Sequence, residues 1–111
     1  ALHHKLCHVL GGAFNLPHAE THTVILPHAT AYNAAGAPEA MLRIARALGS
    51  GSAATGLFDL AQKLGAPLSL KQIGMTEEGL DKVADIAAAN PYANPVPVAR
   101  DAIRTLLDDA Y

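Results

Sequence analysis

The sequence predicts an all-α fold organised as a helical bundle. Apolar residues recur at spacings of three and four in several segments, which places them on one face of a helix. Helix-starting residues such as Pro38 and Thr76, and helix-ending glycines such as Gly49 and Gly65, bound these segments. No segment keeps the period-two alternation of a strand, and the apolar run 23–26 has no turn or partner strand beside it.

The first two predicted helices carry all the histidines. A helix over 2–10 has an apolar stripe, and we expect Gly11-Gly12 to end it. Pro17 suits the first turn of the second helix, which runs towards Tyr32. Pro27 lies inside this second helix and should kink or break it, because proline removes one backbone hydrogen bond.

Four further helices are predicted: 38–48, a helix capped by Ser52 that ends at 64, a helix capped by Thr76 with the apolar stripe 80–87, and 98–110. The apolar residues of the helix 38–48 are Met41, Leu42, Ile44, Ala45 and Leu48. In the helix capped by Ser52 we expect the inward side chains to be Leu57, Phe58, Leu60, Ala61 and Leu64. The Gly-rich stretch 49–56 is interpreted as a connector rather than a phosphate loop, because no strand precedes it. Three prolines should stiffen the loop 90–97.

Composition limits the class of protein. The 111 residues, half of them hydrophobic, fit one domain with its own core. A net charge of −2 without a basic run argues against a nucleic-acid partner. The apolar runs are too short to cross a membrane and no signal-peptide pattern is present, so we expect no membrane partner and a cytoplasmic location. The single cysteine, Cys7, excludes an internal disulfide and is interpreted as a structural thiol.

The six histidines all lie within the first 28 residues, which indicates a site. His4 and His8 are four residues apart and share a helix face, and His18 and His22 repeat this spacing. Such a pair can offer two imidazoles to one metal ion, so spacing alone predicts His4 and His8 as ligands. Neutral imidazole binds a metal, and imidazolium binds a carboxylate. A polar residue with satisfied hydrogen bonds is the alternative for each ring, and the better interpretation for His28.

The segment HKLCHVLGGAFNLPHAETHTVILPHATAYN resembles the metal-binding segment of the iron-containing alcohol dehydrogenase family. The family pattern is His-x-x-x-His-x-x-Gly, then Pro-His, Leu-Pro and an aromatic-Asn pair. ALHHKLCH together with LPHAETH resembles the maleylacetate reductase branch most closely. Many relatives have Gly at the position of Ala19 and Asn at the position of His22. The similarity is weaker after Asn33.

The resemblance implies that 1–111 is the C-terminal helical part of a dehydroquinate synthase-like, iron-containing alcohol dehydrogenase fold. The chain begins with Ala inside a helical pattern, so we expect it to be a fragment whose nucleotide-binding domain precedes it. His4 and His18 take the positions of metal ligands, with an Asp and a further His supplied upstream. This pairing differs from the one that spacing alone predicts. His8 takes the catalytic position beside the reacting carbon.

The implied reaction is hydride transfer from NADH or NADPH, bound mainly by the upstream domain, to the dicarboxylate maleylacetate, which gives 3-oxoadipate in aromatic-compound degradation. A divalent metal, Fe or Zn, polarises the substrate oxygen, or protonated imidazoles take that role. We expect His3 and His22 to bind the substrate, with Lys5 a further candidate. Tyr92 should reach the edge of the site as a second catalytic residue. A homodimer is expected, and the fragment alone should be inactive.

Other functions compatible with the sequence are a metal-dependent alcohol or polyol dehydrogenase of the same family and a non-enzymatic helical metal-binding module. A hydrolase has the least support, because no Ser or Cys stands in a nucleophile motif. The first alternative needs its metal for activity, so loss of activity on adding a chelator would support it. The second alternative would be supported by tight binding of Zn²⁺ or Fe²⁺ to the chain alone.

Overall fold

The computed structural model describes residues 1–89 and 92–111, and in these ranges it contains helices and no strand. The α-helices are α1 Leu2–Phe14, α2 His18–Asn33, α3 Pro38–Leu48, α4 Ala53–Lys63, α5 Leu80–Ala88 and α6 Arg100–Ala110. Short 3₁₀ turns lie at Ala34–Gly36, Lys71–Ile73 and Glu77–Gly79. The predicted all-α class is therefore confirmed. Asn90 and Pro91, which begin the predicted stiff loop, lie outside the described residues.

The core orients α1 so that its histidines face away from it. Helix α1 packs against α2 and α5, and α5 packs against α6. Leu6 and Leu10 of α1 are fully buried beside Ile25, Val83 and Leu107 from the other helices. Burial of each such side chain stabilises the fold by about 1.5–3 kcal/mol relative to exposure. The rotation of α1 about its axis is fixed by this stripe, and His4 and His8 are left exposed.

Helix α1 continues through Gly11-Gly12, so the predicted end there is wrong. The helix reaches Phe14, and Asn15 closes it in the left-handed conformation, with φ of 54°, while its N–H bonds to the carbonyl of Leu10. Each glycine inside a helix costs about 1 kcal/mol relative to alanine. Packing beyond the glycines offsets this cost, because Phe14 packs against the core and Leu16 is part of it.

Helix α2 is continuous across Pro27, so the break predicted near Leu26 does not occur. The helix begins at His18, with Pro17 as its N-cap residue. Pro27 is buried in the helix, flanked by the buried residues Ile25 and Ala29. Tertiary packing on both sides of the proline therefore maintains the helix in spite of the missing backbone donor.

The predicted inward face of α4 is only partly correct, and the apolar residues of α3 are only partly buried. Ala45 is buried in α3, whereas Leu42 is 58% exposed. In α4 the buried residues are Ala53 and Gly56, and the predicted core residues Leu60 and Leu64 are 41% and 74% exposed. The small residues face the core because α4 lies close to α2 and α3. The predicted Ser52 cap is present, since its hydroxyl accepts from the N–H of Thr55.

The fifth helix starts later than predicted. A 3₁₀ turn at Glu77–Gly79 follows Thr76, whose side chain makes no capping hydrogen bond, and α5 begins at Leu80. A Cβ atom on Gly79 would stand 2.6 Å from the ring of Phe14 and 2.8 Å from Met75 Cε. The glycine thus allows this turn to pass close to the end of α1.

Helices α5 and α6 are joined at the surface by an ion-pair network. Arg100 contacts Asp81 and Asp85 at 2.9 and 2.8 Å, and Arg104 contacts Asp81 at 2.9 Å and also pairs with Asp108. Exposed pairs of this kind stabilise a fold only modestly, so the apolar contacts dominate the α5–α6 packing. Among the helices of the described ranges, none has the length and apolar character required to cross a bilayer.

Candidate active site

A cavity of about 290 Å³ lies along the seam between α1 and α2. Its lining residues are His4, Cys7, His8, Gly11, Gly12, Leu16, His18 and His22. Four of the six histidines therefore meet at one cavity, as the clustering in the sequence predicted. The two glycines that fail to end α1 form part of its wall.

The α-helical spacing explains how each helix supplies two imidazoles. His4 and His8 lie one turn apart on the exposed side of α1, and His18 and His22 lie one turn apart at the start of α2. His18 is the first residue of its helix, following the extended residue Pro17. The partial positive charge of the α2 N-terminus therefore lies at this end of the cavity, where it favours an anionic group.

His22 packs between two other rings. Its ring centroid lies 4.3 Å from that of His18 and 5.0 Å from that of His3, the latter in an edge-to-face arrangement. Desolvation by burial lowers the pKa of His22, and repulsion from protonated His18, His3 and His4 lowers it further. The surroundings of His22 in the free site thus favour its neutral imidazole.

His3 lies behind the cavity and is absent from its lining. Its Nε2 donates to the backbone carbonyl of His22 over 3.2 Å, which fixes the ring against α2. Cys7 does line the cavity, although it is only 2% exposed. Burial raises the pKa of the Cys7 thiol to about 12, so the thiol is protonated near neutral pH.

A second cavity, of about 250 Å³, adjoins the first one and shares His4 and His8 with it. Its other lining residues are Ala1, Lys5 and Tyr92. The Lys5 ammonium lies 6.0 Å from the centroid of the Tyr92 ring, at the outer limit of a cation–π contact. Burial is the main cause that raises the pKa of Tyr92, followed by the nearby Tyr32. Within residues 1–89 and 92–111 the buried Tyr92 hydroxyl has no hydrogen-bond partner.

The loop that carries Tyr92 is tied to both site helices through Asn94. The side-chain carbonyl of Asn94 accepts from the N–H of Leu2 at 3.1 Å, at the start of α1. Its amide donates to Asn33 Oδ1 at the end of α2 and to the carbonyl of Val96, both at 2.7 Å. The position of Tyr92 relative to His4 and His8 is thereby fixed by hydrogen bonds that span the sequence.

Tyr32 supplies a second attachment for the same loop. Its hydroxyl donates to the carbonyl of Pro97 at 2.8 Å and accepts from the N–H of Ala99 at 3.3 Å. The aromatic-Asn pair at 32–33 thus holds the loop beside the histidines, which is a role that spacing in the sequence did not reveal.

His28 stands apart from the other histidines. It lines a separate cavity of about 160 Å³ between α2 and α6, together with Tyr32 and Asp109. Its Nε2 atom is buried and finds no partner among the described residues. Burial lowers the pKa of His28, and the carboxylate of Asp109 partly opposes this shift. His28 therefore does not line the main cavity, but the interpretation of this ring as a polar residue with satisfied hydrogen bonds is wrong for its Nε2 atom within the described ranges.

The donor set of the main cavity suits a divalent metal. His4 and His18 line one wall each, and neutral imidazole is a good ligand for Fe²⁺ or Zn²⁺. Two imidazoles are fewer than the three or four protein ligands of a typical site, so this pair alone would be an incomplete ligand set. His4 and His8 line both cavities, and His18 lines the first one. The pairing of His4 with His8, predicted by spacing, and that of His4 with His18, implied by the resemblance, therefore both stay predictions.

Sequence reasoning missed the wall residues Gly11, Gly12 and Leu16, the placement of Cys7 at the cavity, and the role of Asn94. Gly11 and Gly12 lie three and four residues after His8, so the pattern of α1 would have indicated them had the helix been predicted to continue, whereas Leu16 lies beyond the end of that helix. No sequence pattern indicated the role of Asn94, because its partners in the two site helices, Asn33 and Leu2, are 61 and 92 residues away in the sequence.

Comparison with known proteins adds a family and its relatives. The C-terminal model of the Fe-containing alcohol dehydrogenase family matches residues 1–111. A maleylacetate reductase from Burkholderia cepacia is 67% identical over 110 residues, and one from Sphingobium indicum is 57% identical over 110 residues. Each alignment covers 99% of this chain. The chain spans only 31% of the length of these relatives.

Comparison of the structure with solved structures also finds a maleylacetate reductase. The crystal structure of maleylacetate reductase from Agrobacterium tumefaciens superimposes with a TM-score of 0.96 at 51% sequence identity. The superposition covers 100% of this chain and 31% of that protein. The similarity therefore extends well beyond the histidine segment, to α3 through α6, where the sequence pattern alone was weak.

Proposed function

The chain belongs to the iron-containing alcohol dehydrogenase family and corresponds to the C-terminal helical part of such a protein. On this premise we propose that it is part of a maleylacetate reductase. The observation that carries the proposal is the 67% identity to such an enzyme over 110 residues, which include the whole histidine segment. The reaction is reduction of maleylacetate to 3-oxoadipate by NADH or NADPH. The remaining part of the protein would supply the nucleotide-binding domain, and we propose a cytoplasmic homodimer.

The two adjoining cavities fit a substrate with a carboxylate at each end. One cavity is lined by His18, at the N-terminal end of α2, and by His22, and the other is lined by Lys5 and Tyr92. Both ends therefore offer hydrogen-bond donors or positive charge to an anion. His3 contributes by holding the ring and backbone of His22 rather than by facing the cavity.

His8 lies where the two cavities meet, which suits a role at the reacting carbons between the two carboxylates. The hydride electron pair forms a C–H bond at one carbon of the C=C group, and the π electrons move onto the oxo oxygen as an enolate. A proton then adds to the other carbon and regenerates the ketone. In the proposal His8 donates this proton, and the Tyr92 hydroxyl hydrogen bonds to the substrate.

His4 and His18 would hold a divalent metal in this cavity. When bound, the metal would act as a Lewis acid that polarises the substrate oxygen. The protein groups place that oxygen at the cavity wall and exclude water from the apolar side formed by Leu16 and Cys7. Charge that develops on the oxygen is stabilised by preorganised donors, which is usually the largest contribution to catalysis.

The test uses the complete purified protein that contains this chain. Oxidation of NADH or NADPH is followed with maleylacetate as substrate. In parallel, reduction of NAD⁺ or NADP⁺ is followed with small primary alcohols and diols. We expect kcat/KM to be higher for maleylacetate. A higher kcat/KM for a neutral alcohol would contradict the proposal and favour a metal-dependent alcohol or polyol dehydrogenase of the same family.

A further inference from the structure

A second group of side chains that can bind a metal lies at the proposed active site, where two of its three members, Cys7 and His22, also line the main cavity. His3 and Cys7 of α1 and His22 of α2 place one ligand atom each so that all three atoms are within 4.8 Å of one another. His3 and Cys7 are one helical turn apart, and His22 reaches them from the facing helix. We call this group the His-Cys-His cluster. It shares no residue with the His4 and His18 pair.

The dimensions of the cluster are close to those of a bound ion. Zn²⁺ binds thiolate sulfur at about 2.3 Å and imidazole nitrogen at about 2.0–2.1 Å, so ligand atoms around it are separated by roughly 3.3–3.8 Å. The cluster limit of 4.8 Å exceeds this range by about 1 Å. Small side-chain rotations on two packed helices cover that difference without a change in the backbone.

The surroundings of the two rings favour ligation. Metal-binding histidines commonly donate their second ring nitrogen to a backbone carbonyl, which orients the ring. His3 does so towards the His22 carbonyl at 3.2 Å, and this leaves a lone pair on Nδ1. Within the described ranges the Nε2 atom of His22 is buried without a partner.

We propose that His3, Cys7 and His22 bind a thiophilic divalent ion of the Zn²⁺ class at a second metal site. As the sulfur–metal bond forms, the Cys7 thiol releases its proton to solvent, and no electron transfer is involved. Attraction between the ion and the thiolate offsets the cost of ionising a buried thiol. A fourth ligand position is left to water. The ion fixes the His22 ring against which His18 packs, so the second site constrains His18.

The test follows cobalt binding to the complete protein that contains this chain, after chelator treatment and under reducing conditions. Co²⁺ bound to a thiolate gives a sulfur-to-cobalt charge-transfer band in the near ultraviolet, which histidine ligands alone do not produce. We expect this band in the wild type, its displacement by Zn²⁺, and its loss in Cys7→Ala. The His18→Gln variant should retain it, because His18 is not a ligand in this site.

Two further variants complete the experiment. His3→Gln should weaken Co²⁺ binding by about ten- to a hundredfold, while His28→Gln, another histidine of α2, should leave binding unchanged. Absence of the band in folded wild-type protein would overturn the proposal, as would a band unaffected by Cys7→Ala. If Cys7→Ala does not fold, an unchanged affinity in His3→Gln is equally decisive. The absorbance reports ligation alone, so a lack of maleylacetate turnover would not change it.

Discussion

Tyr92 lies in the loop to which Tyr32 of α2 bonds, yet of these two tyrosines only Tyr32 has hydrogen-bond partners for its hydroxyl among the described residues. The hydroxyl of Tyr32 bonds to Pro97 and Ala99, whereas the buried hydroxyl of Tyr92 has no partner in the described part of the chain. A buried polar group without a partner destabilises the fold, and it is retained where a ligand supplies the missing bond. Comparison of the two tyrosines therefore separates function from stability.

Replacing Tyr92 by Phe should lower kcat/KM for maleylacetate about tenfold, because one hydrogen bond to the substrate is lost. The free energy of unfolding should stay the same or rise, since the deleted hydroxyl has no partner within the described residues. Tyr32→Phe is the matched control and should cost about 1 kcal/mol of stability through its two lost bonds. Steady-state kinetics and urea unfolding give both numbers. Unchanged kcat/KM in Tyr92→Phe would show that the hydroxyl has no role.

His18 and His28 occupy the same helix but different cavities, so they offer another matched pair. We predict that His18→Gln lowers kcat of the complete enzyme about a hundredfold, because one polarising contact at the substrate oxygen is lost. His28→Gln should keep kcat within about twofold of the wild-type value, because His28 lines a cavity separate from the one that holds His18. Circular dichroism checks that both variants fold. Equal losses in two folded variants would mean that His18 is misassigned.

Among the helices, α1 shows where sequence reasoning succeeds and where tertiary packing overrides it. The apolar stripe and the histidine spacing of α1 were readable from its own residues. Its continuation through Gly11-Gly12 was not, because the contacts that stabilise it come from Phe14 and Leu16 on the far side of the glycines. The same limit applies to α4, where Leu60 and Leu64 have helical spacing but no neighbour to cover them among the described residues.

Two helix-associated glycines should respond in opposite ways to alanine. Gly12 lies inside α1 with nothing within 4 Å of an added Cβ, so Gly12→Ala should stabilise the protein by about 0.5–1 kcal/mol through helix propensity. At Gly79 the added Cβ meets Phe14 and Met75 at 2.6 and 2.8 Å, so Gly79→Ala should destabilise by about 1–3 kcal/mol. Thermal and urea unfolding measure both changes. A stabilising Gly79→Ala would refute the close contact between this turn and α1.

The molecule as a whole should lose stability in mild acid partly through His28. Burial keeps its pKa in the native state below the unfolded value of 6.5, despite the opposing charge of Asp109. The unfolded chain therefore binds more protons. The contribution of neutral His28 to stability is complete above pH 6.5. This contribution is lost as the pH falls from 6.5 through the lower pKa of His28 in the native state.

The measurement compares the free energy of unfolding of the wild type and His28→Gln at several values between about pH 7.5 and about pH 5, the range in which histidine titrates. We expect a shallower decline in His28→Gln, because that variant has lost one titrating ring. Parallel curves would show that His28 is as easily protonated in the native state as in the unfolded state.

The histidine segment is local in sequence, but the complete site is not. The bond between Leu2 and Asn94 joins residues 92 positions apart, and the bond between Asn94 and Asn33 spans 61 positions. Contacts of such separation form late, since the entropy of closing a long loop must be overcome first. A chain still emerging from the ribosome can pair α1 with α2 and bring the imidazoles together while Tyr92 is not yet synthesised. The loop that carries Tyr92 therefore joins the histidines in a step that is later than, and separate from, the pairing of α1 with α2.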